Sequence, residues 1–134
     1  MKIKRVLLPL LLCLMLLLTA CGKTTPDISL DNIVSMGQGG NSFIFVILDE
    51  YDNQFAFEVH TDKTYVGEAL SEMMMISGEE GPYGLFVDTV YGRKLDYETD
   101  GLYWAFYIDG AYATKGVDDT KIEKDRIYMM KAEK

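Results

Sequence analysis

The sequence predicts an α+β fold of the β-grasp type, in which one helix packs on a mainly antiparallel or mixed sheet. Three observations support this prediction. An unbroken apolar run, FIFVIL at residues 43–48, favours a strand that is covered on both faces. Apolar residues then recur at helical spacing between residues 64 and 77. Finally, Asp109-Gly110 separates two alternating segments, as in a β-hairpin with a type I′ turn.

Residues 1–20 have the layout of a secretory signal. Lys2, Lys4 and Arg5 precede an apolar run that is shorter than the roughly 20 residues needed by a membrane-spanning helix. The ending Leu18-Thr19-Ala20-Cys21 resembles the bacterial lipoprotein signal, in which the cysteine becomes the lipidated first residue of the mature protein. We therefore expect a lipid anchor at Cys21. An ordinary secretion signal with an incidental cysteine is the alternative.

Residues 21–42 are predicted to be a tether between this anchor and the domain. Their composition, with Thr24-Thr25-Pro26 and a glycine-rich run at residues 37–41, is typical of a flexible linker. A few apolar residues between positions 28 and 34 leave room for a short docked segment. The domain itself is expected to span residues 43–134.

The first predicted elements of the domain are a hairpin and a helix. The strand at residues 43–48 leads through a polar turn to a half-buried strand at residues 55–60. The helix is expected over residues 64–77, with Gly78 ending it. A loop is expected over residues 78–84.

The second half of the domain is predicted to contain strands and polar connections. A strand at residues 85–91 and a polar connection at residues 92–101 precede the hairpin of residues 103–113. After another polar loop, the last strand is expected over residues 126–131.

The hairpin carries the candidate recognition residues. Alternation places Tyr103 and Tyr107 on one face of its first strand, and Tyr112 pairs with Tyr107 across the two-residue turn. Three hydroxyl groups are satisfied more easily on a wet face than inside a core, so this face is the predicted binding surface. Trp104 lies on the other face and is expected in the core. If the assignment of the two hairpin faces is reversed, Trp104 is instead an exposed residue that anchors the binding partner. In the alternative interpretation, the tyrosines have no binding role and only border the core of a small sheet.

Charge and composition argue against several classes of function. The net charge of −8 would repel nucleic acid, so no nucleic-acid partner is expected. With Cys13 in the signal and Cys21 lipidated, the mature chain has no thiol for a disulfide, a metal site or a nucleophile. His60 is the only histidine and has no nucleophile motif beside it, which favours a solvated side chain over a general base. We therefore predict that the protein is not an enzyme.

The strongest metal hypothesis in the sequence is a calcium loop. Asp96, Glu98 and Asp100, followed by Gly101, match the first half of the calcium-loop pattern. The twelfth position requires a bidentate glutamate, and here it is Tyr107, within a predicted strand. These carboxylates are therefore interpreted as a solvated turn, and no metal site is predicted.

Four motifs of the chain resemble a known family. They are TYVGEAL at residues 64–70, GPYG at residues 81–84, YWAFYIDG at residues 103–110 and GVD at residues 116–118. Their order and spacing closely resemble the transcobalamin C-terminal-like domain of unknown function that is found in bacterial surface lipoproteins. The similarity covers about residues 43–134. One departure is Lys124-Asp125, because the family usually has Gly-Asp before the last strand.

The resemblance implies a β-grasp-like domain related to the smaller domain of the cobalamin carriers, where it closes over a ligand held mostly by a larger helical domain. No such helical domain is predicted here. The resemblance therefore predicts the fold and the location of the protein well, but it predicts cobalamin binding poorly. The leading hypothesis is a non-catalytic binding or interaction module, anchored through Cys21 to the outer face of the bacterial cytoplasmic membrane. Its expected partner is an unknown extracellular ligand or protein. The alternatives are a receptor for cobalamin or a similar tetrapyrrole, and a structural cell-envelope protein.

Overall fold

The part of the chain that the structure describes contains nine strands, two α-helices and one 3₁₀ helix. The structure is a computed structural model and describes residues 27–134. The strands are β1 (Ile33–Gly37), β2 (Asn41–Leu48), β3 (Gln54–Thr61), β4 (Ile76–Gly81), β5 (Gly84–Val90), β6 (Arg93–Lys94), β7 (Tyr103–Ile108), β8 (Ala111–Tyr112) and β9 (Ile127–Glu133), and the helices are α1 (Val66–Glu72) and α2 (Tyr97–Asp100). None of the helices in this range is long and apolar enough to cross a membrane. The predicted signal at residues 1–20 and Cys21 lie outside the described residues.

Six of these strands form a mixed sheet in the order β1-β3-β2-β9-β7-β8. β2 pairs antiparallel with β3, as the predicted first hairpin requires, and pairs in parallel with β9. β7 pairs antiparallel with both β9 and β8. The predicted α+β fold with a mixed sheet is therefore confirmed.

The main core lies on one face of the six-stranded sheet, where side chains from both sheets and from α1 pack together. Its most buried large side chains are Phe43, Phe45, Val59, Val66, Leu70, Val90, Val117, Tyr128 and Met130. A smaller cluster on the opposite face contains Val46, Leu48, Ala56 and Met129, and Ile28 packs against it. β2 is therefore covered on both faces, as its unbroken apolar run predicts.

The helix is shorter than predicted. α1 ends at Glu72, whereas the apolar spacing predicts a helix over residues 64–77. Met74 has a positive φ of 55°, and the Met75 amide donates to the Leu70 carbonyl at 2.9 Å, so a left-handed turn closes the helix. Met75 is buried just before β4 begins. The apolar residues at the start of the following strand continue the helical spacing. For this reason the spacing alone does not show where the helix ends.

A second, antiparallel sheet of β4, β5 and β6 completes the domain. The sequence predicts a loop at residues 78–84 and an irregular connection at residues 92–101, because these segments are polar and rich in glycine. β4 is exposed beyond Ile76 and has a bulge before Gly78, where the lack of a side chain lets the Phe86 carbonyl approach closely. Exposed edge strands lack the apolar pattern that reveals a buried strand.

The predicted tether is too long, because its second half belongs to the domain. β1 pairs in parallel with β3 and forms the margin of the six-stranded sheet beside it. Upstream of β1, the Gln54 side chain donates to the Ser29 carbonyl at 2.5 Å, and Ile28 packs against the sheet. The prediction of a linker over residues 21–42 is therefore wrong from about residue 28 onward. β1 is mostly exposed and ends in a glycine-rich turn, so its composition resembles that of a linker.

Three of the four motifs quoted above meet at Asp118. Its Oδ2 atom accepts a hydrogen bond from the Leu85 amide at 2.8 Å, near the start of β5. Gly67 in α1 and Gly84 lie against the same carboxyl group, where an added Cβ would crowd it. One side chain thus joins the helix, the β4–β5 turn and the 3₁₀ turn at Val117–Asp119.

Candidate functional site

The β7–β8 hairpin has the turn that the sequence predicts. Asp109 and Gly110 both have a positive φ, of 48° and 81°, as a type I′ turn requires. The Asp109 carboxylate accepts hydrogen bonds from the Arg126 guanidinium at 2.8 Å and from the Ile127 amide at 2.9 Å. The turn is therefore fixed to the start of β9. The positive φ before β9 occurs at Asp125 and not at Lys124, so this turn forms without the family's glycine.

Three tyrosines lie on the face of the hairpin that is opposite the main core, as predicted. Tyr107 pairs with Tyr112 across the strands, and their rings meet edge to face with centroids 5.3 Å apart. Tyr112 is 58% exposed, while Tyr103 and Tyr107 are half-buried. We call Tyr103, Tyr107 and Tyr112 the tyrosine face.

Glu133, at the end of β9, holds two of these tyrosines. Its carboxylate accepts hydrogen bonds from the Tyr107 hydroxyl at 2.5 Å and from the Tyr103 hydroxyl at 3.5 Å. Lys131 forms an ion pair with Glu133 at 3.0 Å, and its ammonium group lies 5.9 Å from the centroid of the Tyr107 ring. Burial opposes the ionisation of Glu133, but hydrogen bonds from Tyr107 and Lys131 outweigh it and lower the pKa of this carboxyl. Two residues of the tyrosine face therefore contact an ionised carboxylate.

The same contacts keep Tyr107 protonated. Burial, followed by the hydrogen bond to Glu133, raises the pKa of Tyr107 from 10.0 to about 12. Its hydroxyl is therefore a hydrogen-bond donor throughout the physiological pH range.

Glu133 and Lys131 are missing from the site that the sequence predicts. The last strand is predicted to end at residue 131, whereas β9 continues to Glu133. Alternation along β9 could have indicated both residues, because Met129, Lys131 and Glu133 share one face of the strand. In the sheet they pair with Tyr107, Ala105 and Tyr103, respectively.

Trp104 does not belong to the exposed part of the site. Its side chain lies in the main core, is 7% exposed, and donates its indole N–H to the Arg93 carbonyl at 3.0 Å. The hypothesis that Trp104 is an exposed binding anchor is therefore wrong. The physical reason is that the indole packs against the main core and finds its hydrogen-bond acceptor in β6.

Two cavities border Trp104. The first cavity has a volume of about 340 Å³, which lies in the range of small-ligand sites, and is lined by Phe86, Tyr97 and Tyr103 among others. The Tyr97 and Tyr103 rings meet with centroids 6.4 Å apart, so the first cavity adjoins the tyrosine face. The second cavity has a volume of about 230 Å³. Its aromatic walls are Tyr51, Phe55, Tyr91 and Trp104.

The acidic segment before β7 caps a helix. The Asp96 carboxylate accepts hydrogen bonds from the amides of Glu98 and Thr99 at 2.8 and 3.2 Å, at the start of α2. Asp100 in turn accepts a hydrogen bond from the Asp96 amide at 2.9 Å. Within residues 27–134, no group of three or more His, Cys, Asp or Glu side chains is placed to hold a metal ion.

The fold is shared with two solved structures. A putative metal binding protein from Ruminococcus gnavus ATCC 29149 is 23% identical, with a TM-score of 0.67 over 71% of this chain and 98% of that protein. Haptocorrin in complex with Cbi is 12% identical, with a TM-score of 0.53 over 74% of this chain and 27% of haptocorrin. At these identities the similarity shows a common fold.

Sequence comparison identifies the family of the domain. No curated protein sequence matches the chain. The family model of the domain of unknown function DUF4430 matches residues 63–130, about half of the chain, and this range contains all four motifs of the resemblance. The resemblance to a transcobalamin-like domain is thereby confirmed, and the chain belongs to the DUF4430 family.

Proposed function

We propose that the protein is a non-catalytic binding module, lipid-anchored at Cys21 to the outer face of the bacterial cytoplasmic membrane, that binds an extracellular ligand or protein through the tyrosine face. One observation carries the binding part of this proposal, and the lipid anchor rests on the signal-like ending at Leu18-Thr19-Ala20-Cys21. Tyr103, Tyr107 and Tyr112 lie together on one side of the hairpin, and two of their hydroxyls donate to Glu133. The structural similarity to haptocorrin supports a ligand-binding module.

The tyrosine face has the properties of a recognition surface. Each ring offers apolar contact area together with a polar hydroxyl, and tyrosine is accordingly enriched in protein interfaces. Glu133 restricts the Tyr103 and Tyr107 side chains before any partner binds. A partner therefore pays less conformational entropy to order them. The adjoining first cavity extends this surface for a ligand that reaches beyond the tyrosines.

The environment of His60 supports the non-catalytic part of the proposal. Its Nε2 atom lies 3.7 Å from the Glu58 carboxylate, and both side chains are partly exposed. A general base is expected instead within hydrogen-bond distance of the proton that it removes, next to a nucleophile or a bound substrate.

Cobalamin, or a similar tetrapyrrole, is a second candidate ligand. The observation that favours it is the fold shared with haptocorrin, which was solved in complex with Cbi. A large flat ring would lie across the tyrosine face, since neither cavity at Trp104 exceeds about 340 Å³. Mixing the protein with cobalamin should then give a coloured, stoichiometric complex after gel filtration. A colourless protein would eliminate this candidate and leave the binding proposal standing.

Mass spectrometry of the material that co-purifies with membrane-extracted protein tests the main proposal. We expect a specific partner with the wild type and its loss with Tyr112→Ala. Tyr83→Ala is the matched control, because Tyr83 is 91% exposed on the β4–β5 turn. Equal recovery with both variants would contradict the tyrosine face as the binding site. If no specific partner is recovered at all, the structural envelope protein becomes the better hypothesis.

A further inference from the structure

The second cavity lies outside the tyrosine face and has no part in the proposed function. Three of its aromatic walls are open to solvent, with Tyr51 76%, Tyr91 56% and Phe55 41% exposed. Trp104 borders the same cavity from the core. A group of exposed aromatic rings around one concave site is typical of a binding surface.

The Tyr91 ring is held in a fixed position. Its centroid lies 6.0 Å from that of Phe55 and 5.4 Å from that of Phe57. Tyr91 has a φ of 49°, which is uncommon for a bulky residue, and its amide donates to the Met75 carbonyl at 2.8 Å. Packing and backbone geometry together preorganise this wall of the cavity.

Two carboxylates and one guanidinium border the second cavity. Arg93 donates to Glu50 through two nitrogens, at 2.7 and 2.8 Å. Asp49 accepts hydrogen bonds from the amides of Tyr51 and Asn53, at 2.9 and 2.8 Å. The lining groups therefore have one negative charge in excess, and the protein itself uses much of their hydrogen-bonding capacity.

We propose that the second cavity binds a small organic cation that carries a quaternary ammonium group, as choline does. The faces of aromatic rings attract a cation through their quadrupole, and the excess negative charge of the lining acts in the same direction. The methyl groups of such a cation offer apolar surface to the rings. They need no hydrogen bond, which suits a cavity whose carboxylates already have donors within the protein.

Other small ligands match these walls less well. A sugar would need hydrogen-bond partners for several hydroxyls, whereas Oε1 of Glu50 already accepts from two nitrogens of Arg93 and Oδ1 of Asp49 accepts from two backbone amides. An anion would have to compete with Glu50 for Arg93 and would meet the charge of Asp49. The quaternary ammonium group therefore fits both the charge and the hydrogen bonding of the cavity.

Fluorescence of Trp104 provides the test, because it is the only tryptophan of the chain and borders the cavity. We expect a saturable change when choline chloride is added to the full-length protein at constant ionic strength. The neutral isostere of choline, with a tert-butyl group in place of trimethylammonium, should bind at least about threefold more weakly. Equal affinities for both probes, or no saturable change with choline, would overturn the proposal.

Paired variants locate the site, because Trp104 also borders the first cavity. Tyr51→Ala removes a wall of the second cavity and should weaken choline binding about three- to fivefold. Tyr97→Ala, which removes a wall of the first cavity at a similar exposure of 66%, should leave choline binding unchanged. Equal effects of the two variants would show that choline does not bind in the second cavity.

Arg93→Gln tests the sign of the ligand's charge. The substitution removes the one cation of the lining and leaves Glu50 available, so choline should bind about threefold more tightly. A thermal melt shows whether the variant is folded. Weaker choline binding by a folded Arg93→Gln variant would overturn the proposal, since it would mean that the guanidinium attracts the ligand.

Discussion

Glu133 couples the chemistry of the tyrosine face to the stability of the sheet. It is half-buried at the end of β9, and it accepts hydrogen bonds from both Tyr103 and Tyr107. In the folded protein, the lowered pKa of Glu133 favours its ionised carboxylate. The raised pKa of Tyr107 favours its neutral phenol. The stability of the domain should therefore depend on pH at both ends of the scale.

At alkaline pH, the contribution of Tyr107 to stability should be lost. Its pKa is 10.0 ordinarily and about 12 in the folded protein, so the unfolded chain loses the proton first. The contribution of Tyr107 to the free energy of unfolding is therefore fully present below pH 10 and is lost as the pH rises through 12. We expect Tyr107→Phe to have a shallower alkaline decrease in the free energy of unfolding than the wild type. Tyr83→Phe is the control, and identical pH profiles of wild type and Tyr107→Phe would contradict the prediction.

At acidic pH, Glu133 acts in the opposite direction. The lowered pKa of its carboxyl means that its contribution is present above the ordinary value of 4.5 and is lost as the pH falls toward the folded pKa. In Tyr107→Phe the carboxylate loses one of its donors, and this acid-dependent loss should also become smaller.

Trp104 contributes to folding and not to an exposed surface. Trp104→Ala should lower the free energy of unfolding by about 3 to 5 kcal/mol, because a large cavity replaces a buried ring. Tyr112→Ala should cost far less, since Tyr112 is 58% exposed. Urea denaturation of both variants measures the difference. A dispensable Trp104 together with an essential Tyr112 would reverse the assignment of the two hairpin faces.

At the scale of elements, the sequence predicts the strands with strong side-chain patterns. β2 is a continuous apolar run, and β7 alternates up to an Asp-Gly turn, so both could be located within about two residues. β1 and β4 could not, because they are exposed strands with glycine and polar residues. The residues of the candidate site likewise divide into those that the sequence predicts and those that it does not. The tyrosines follow from alternation in β7, whereas Glu133 depends on the register between β7 and β9, which is a tertiary contact.

β1 should contribute measurably to the stability of the domain. It forms a parallel ladder with β3, and removal of residues 27–42 also cuts into the start of β2. We expect residues 43–134 alone to melt at least about 5 °C below residues 27–134. The sequence predicts instead that residues 43–134 contain the whole domain and fold without the tether. Equal melting temperatures of the two fragments would support that prediction and argue against a structural role of β1.

At the scale of the whole molecule, the chain length between Cys21 and the sheet limits how far the domain extends from the proposed anchor. Ile28 packs against the smaller apolar cluster, and covalent geometry limits the Cα distance from Cys21 to Ile28 to about 25 Å. The domain would therefore remain near the membrane surface to which Cys21 attaches it.

Lipidation of Cys21 is a prediction of its own. Labelled fatty acid should enter the wild-type protein, whereas Cys21→Ser should remain unlabelled and appear in the soluble fraction. Cys13→Ser is the matched control, because residue 13 lies within the predicted signal and its loss should leave the label in place. Equal labelling of wild type and Cys21→Ser would contradict the lipid anchor.

The strand order sets how far the hairpin lies from the opposite margin of the six-stranded sheet. β1 forms one margin of the six-stranded sheet, and β8 with Tyr112 forms the other. Five interstrand spacings separate these margins, roughly 24 Å. The segment from Cys21 to Ile28 can extend over about 25 Å, which is as long as the sheet is wide, so the proposed anchor leaves room for the hairpin to face away from the bilayer. In such an orientation the hairpin would be accessible to wall polymers or to proteins of neighbouring cells that are too bulky to enter the gap between the domain and the lipid.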